Sequence, residues 1–79
     1  MLNMTPDQLA ENVRNAIEAG GDRVLDLHVW RLGPGHMSAV VSVVTNESQR
    51  NPSFYHAALK RFEELSHVTV EVNPPEAMA

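Results

Sequence analysis

The chain has no cysteine, and that one absence removes several possibilities together. Without thiols there is no disulfide framework, no thiolate metal site and no cysteine nucleophile, so zinc ribbons and thiol metallochaperone loops are excluded. Any metal must be held by nitrogen and oxygen. Basic residues are also few: six lysines and arginines stand against ten acids, for a net charge of -4, and they are scattered along the chain. The positive field that nucleic acid or an anionic membrane surface requires is missing. No apolar run approaches the roughly 18 to 20 residues that span a bilayer. The N-terminus lacks the basic-then-apolar layout of a secretory signal. A soluble domain is expected, without nucleic-acid partners and without direct membrane insertion. A glycine-rich phosphate loop, an activated serine and a close acid pair are likewise wanting, and an enzyme is not expected.

What is present reads as a single domain over residues 1–79. A domain this small buries a modest share of its surface, so a partner surface is an expected source of stability. Thr5-Pro6-Asp7-Gln8 has the parts of a helix start: a capping hydroxyl, proline at the first helical position and glutamine three residues after the cap. The spacing of Leu9, Val13 and Ile17 predicts a helix from about Pro6 to Ala19, stopped by Gly20-Gly21. From Val24 to Arg31, Leu25, Leu27 and Val29 alternate with Asp26, His28 and Trp30, which predicts a strand. Gly33-Pro34-Gly35 turns the chain into a second strand, Met37 to Thr45. Asn51-Pro52 opens a second helix, for which Phe54, Ala58, Phe62 and Leu65 supply the apolar spacing. A last strand, His67 to Asn73, alternates Val68, Val70 and Val72 with polar residues before Pro74-Pro75 ends it.

The order α-β-β-α-β, with one apolar stripe per helix, predicts an α+β open-faced sandwich in which both helices cover one side of a three-stranded mixed sheet. The crossover through the second helix makes strands two and three parallel and puts strand two in the middle.

By alternation, Asp26, His28 and Trp30 share the uncovered face with His67, Thr69 and Glu71. Imidazole with carboxylate suits zinc, cobalt or nickel near neutral pH. A second copy of the chain is the simplest cover for such a face. Spacing alone does not select ligation, because no two histidines form a compact helical metal motif. Each has an ordinary reading as well: His28 as a cross-strand hydrogen-bonding residue, His36 as a turn residue, His56 as an exposed helix residue and His67 as a strand opener leaning on the helix end. His67 and Glu71 lie about 13 Å apart along the strand, which assigns them to different sites within one chain. Trp30 reads as packing, at the hairpin or in a dimer contact.

The run Asp26-Leu27-His28-Val29-Trp30-Arg31-Leu32-Gly33-Pro34-Gly35-His36, with Ser66-His67-Val68-Thr69-Val70-Glu71, resembles the C-terminal cytosolic domain of cation diffusion facilitators, closest to the bacterial branch associated with cobalt and nickel efflux. The resemblance runs from Thr5 to Pro74. It implies a ferredoxin-like fold and a V-shaped homodimer on the cytoplasmic face of the cell membrane, beneath the transmembrane domain of the same transporter. It also implies metal bound between the arms, which favours transport. Carried over by position, His67 matches a histidine at the start of strand three, Glu71 a carboxylate or histidine four residues on, and His56 a histidine early in helix two. Two further family histidines are Leu25 and Ser42 here, which implies a rearranged site completed by His28 and His36. The expected metal ligands are therefore His28, His36, His56, His67 and Glu71, for zinc, cobalt or nickel. The competing expectation is a dimerisation or protein-interaction module that needs no metal.

Overall fold

A computed structural model describes residues 4–75. Helix α1 (Pro6–Ala19) begins with the capping box that the sequence predicts. The Thr5 hydroxyl accepts from the Gln8 amide at 3.1 Å, and the Gln8 side chain accepts from the Thr5 amide at 2.9 Å. Two otherwise orphaned donors are satisfied reciprocally. The helix buries Leu9, Val13 and Ile17, and the chain leaves it through Gly21 at φ 99, a left-handed conformation in which a side chain would be strained.

Strands β1 (Arg23–Gly33) and β2 (His36–Val44) form an antiparallel hairpin, and β3 (Leu65–Asn73) pairs with β2 in parallel. The sheet order is β1-β2-β3, with β2 central as the crossover argument requires. Gly35 at φ 74 makes the tight corner after Pro34. Both helices lie on one side of the sheet, giving the ferredoxin-like α-β-β-α-β sandwich. Its core joins Leu9, Val13 and Ile17 of α1 to Met37, Val41 and Val43 of β2 and to Tyr55 and Leu59 of α2 (Pro52–Leu59). Leu27, Val29, Val68, Val70 and Val72 complete the inner face from the flanking strands.

Two local expectations are corrected. The register between β1 and β2 shifts between Val24 and Asp26, so Val24 packs on the core while Leu25 is 53% exposed rather than inward. In α2 the buried residues are Tyr55 and Leu59, while Phe54 is 44% exposed and Ala58 is also at the surface. The helix ends at Leu59, so Phe62 and Leu65 pack on the core from the following turn and from β3. The cause is a long-range one. The Tyr55 hydroxyl donates to buried Asp22 at 2.5 Å, and Arg50 donates to the same oxygen at 2.9 Å and to the Gly20 carbonyl at 3.1 Å. This polar cluster ties the entry of α2 to the α1–β1 corner and turns Tyr55, not Phe54, inward. Burial by itself would raise the pKa of Asp22, but the bonds from Tyr55 and Arg50, helped by the Thr45 hydroxyl, hold it below the ordinary value of 3.8.

Candidate functional site

The uncovered face of the sheet is ordered in three rows by the strand register. Asp26, Ser42 and Glu71 are neighbours in one row; His28, Val40 and Thr69 form the next; Trp30, Ser38 and His67 form the third. The restored alternation after Leu25 is what places Asp26, His28 and Trp30 together on this side. Carboxylates therefore stand at both ends of one row, imidazole and tryptophan edge the other two, and Val40 occupies the centre. Leu25, Trp30, Leu32 and Val40 are all exposed apolar side chains of β1 and β2. That is four of the five large apolar residues exposed among the described residues, gathered on one hairpin.

Asp26 and His28 lie side by side, with the imidazole Nε2 3.3 Å from a carboxylate oxygen, both well exposed. Across β2, Glu71 is held rather than free: the Ser42 hydroxyl donates to its Oε1 at 2.9 Å, and the Asn73 amide donates to that hydroxyl at 3.0 Å and to the Val43 carbonyl at 3.1 Å. A carboxylate oriented by a hydroxyl that is itself oriented has lost part of its freedom before any cation arrives.

Two of the other expected ligands, His36 and His56, are placed elsewhere. His36 opens β2, where its Nδ1 meets the Ser66 hydroxyl at 2.7 Å. Among the described residues Nε2 has no hydrogen-bond partner, which is the arrangement of an imidazole oriented through its second nitrogen. His56, on α2, lines a surface depression with Leu59, Lys60, Leu65, Ser66 and Val68. Ser66 thus borders both His36 and His56. His67, beside it in sequence, stands on the sheet face opposite Ser38. The five expected ligands fall into two groups: His28, His67 and Glu71 on the face, His36 and His56 around Ser66 at its end. Among the described residues no three metal-capable side chains converge on one point within a single chain.

Sequence reasoning missed the supporting residues. Ser42 had a readable signal, since it alternates with inward Val41 and Val43 and so must share the open face. The link from His36 to Ser66 spans 30 positions and left no local trace. The same is true of the Asp22, Arg50 and Tyr55 cluster.

Among the described residues, no helix is long and apolar enough to cross a membrane. No family model matches the sequence, and no solved structure matches it. The chain is 28% identical over 78 residues to a probable zinc transporter protein of Dictyostelium discoideum. That alignment takes in 92% of this chain and 13% of the relative, so the chain spans a small part of that protein's length. The likeness links this sequence to a metal transporter.

Proposed function

We propose that this chain is the regulatory cytosolic domain of a divalent-metal efflux transporter, that it pairs with a second copy through its open sheet face, and that it binds a transition-metal ion to favour transport. The observation that carries the reading is the open face itself, where Asp26, His28, His67 and Glu71 stand around exposed Val40, with exposed Trp30 on the edge strand beside them. A face that is apolar at its centre and ligand-rich at its edges suits two jobs at once: burial against a partner and metal capture at the rim.

The donor set fits the ion class. Neutral imidazole and ionised carboxylate accept zinc, cobalt or nickel, and the hydroxyls of Ser42 and Ser66 preset Glu71 and His36. As no three donors converge among the described residues of one chain, groups from a second copy are proposed to complete the coordination shell. The relative's description favours zinc, while cobalt and nickel rest on the motif's bacterial likeness. The ligands proposed are His28, His36, His56, His67 and Glu71.

Thermal melting and hydrodynamic radius, measured without metal and then with zinc, cobalt or nickel, test the reading. An ion that binds only the folded state stabilises it by about 2.7 kcal/mol at a hundredfold excess over Kd, which in a domain of this size raises Tm by roughly 10 to 20 °C. The radius should also change as copies pair or their arms close. No shift of either quantity with any of the three ions overturns the metal-sensing reading and leaves a pairing module that needs no metal.

A further inference from the structure

The helix layer carries a separate feature, on the side of the domain away from the open sheet face. Between α1 and α2 lies a cleft of about 110 Å³, where Ala16 and Ile17 of one helix face Phe54 and Ala58 of the other. Phe54 and Ala58 are the apolar pair with helical spacing that the core does not use, because Tyr55 and Leu59 take the inward positions. The lining also includes Asp22, Arg50 and Arg61. Asp22 is buried and already accepts from Tyr55 and Arg50. Arg61 is exposed and stacks over Phe62 at 5.0 Å, while Arg50 stacks over Phe54 at the same distance. Arg50 is already balanced by Asp22, with the Glu47 carboxylate also near it, so the cation left open to a ligand is Arg61, on a chain whose total charge is -4.

We propose that this cleft is a docking groove for a peptide partner that presents one apolar side chain flanked by carboxylates. Size decides between a peptide side chain and a whole small molecule. The cleft falls well below the roughly 300 Å³ at which pockets for drug-sized ligands begin, yet it suits a single aliphatic side chain of the kind that an amphipathic peptide lays into an apolar groove. Charge decides the flanking groups: Arg61 is open to solvent beside an apolar wall, where an incoming carboxylate gains and an incoming lysine is repelled.

The test is an NMR titration of the nitrogen-15-labelled chain with a short synthetic peptide carrying one leucine among aspartates and glutamates, with a second peptide carrying lysines in place of the acids. Saturable shifts are expected at the amides of Ala16, Gly20, Phe54 and Ala58 with the acidic peptide only. Arg61→Glu should weaken that binding about threefold or more, Arg61→Lys should retain most of it, and Phe54→Ser should weaken it about tenfold. Both side chains are exposed, so the remaining spectrum serves as the folding control; should Phe54→Ser unfold, the two Arg61 variants still decide. Absence of saturable shifts at the cleft, equal binding of the lysine peptide, or shifts confined to the sheet face around His28 and Thr69 overturns the proposal.

Discussion

The hydroxyl of Tyr55 donates to a carboxylate oxygen of Asp22 across 33 positions of sequence, at 2.5 Å and inside the protein. With Arg50 on the same oxygen, the Asp22 pKa is held low despite burial. A depressed carboxyl adds stability that is fully present above its ordinary value of 3.8 and is lost as pH falls through the lower folded value. Asp22→Asn should therefore cost about 1 to 3 kcal/mol at neutral pH, and its deficit against the parent should shrink below about pH 4. Urea midpoints at a series of pH values check this; a deficit that stays constant into acid contradicts it.

The two faces of α2 should respond oppositely to truncation. Leu59 is 2% exposed, and Leu59→Ala should cost about 2 to 5 kcal/mol through the cavity it leaves. Phe54→Ala, at a half-exposed position, should cost no more than about 1 kcal/mol, the order of the Arg50 stacking it removes. Chemical denaturation of both variants measures the contrast. Equal losses would restore Phe54 to the core.

That contrast marks where the sequence was legible. The capping box at Thr5, the stop at Gly21, the turn at Gly35 and the alternation in β2 and β3 each depend on residues a few positions apart, and the fold follows from them. In α2 both Phe54 with Ala58 and Tyr55 with Leu59 have the spacing of a buried pair, and the choice is made by Asp22, far away in sequence. Leu25 was misplaced because one extra residue in β1 inverts the alternation before it. On the open face Asp26, His28, His67 and Glu71 were readable by parity alone. Alternation puts Ser42 on that face, but which residue each orienting hydroxyl meets, Glu71 for Ser42 and His36 for Ser66, depends on long-range pairing that no local pattern encodes.

Pairing through the open face assigns a central place to Trp30. Trp30→Asp should weaken self-association at least about tenfold, because a carboxylate then has to be desolvated in the contact. The monomer fold should be unchanged, as Trp30 is 44% exposed and outside the core cluster. Sedimentation equilibrium with circular dichroism separates the two effects. Self-association unaltered by the substitution places the contact elsewhere.

The Ser66 hydroxyl supports His36 through Nδ1. Ser66→Ala should lower zinc affinity by about tenfold, the usual cost of losing such a supporting bond, while changing the metal-free stability by less than about 0.5 kcal/mol. A competition titration with a zinc-sensitive dye reads the first, a urea midpoint the second. Unchanged affinity would remove His36 from the ligand set.

The most direct test of metal sensing is a calorimetric titration of the metal-free chain with zinc, then with cobalt, at a concentration where sedimentation finds the proposed pair, repeated on His67→Ala. Saturable binding that weakens at least about tenfold in the variant is the result expected of a ligand on the sheet face. No heat with either ion, in a preparation that is still dimeric, would contradict metal binding and leave pairing alone as the role of that face.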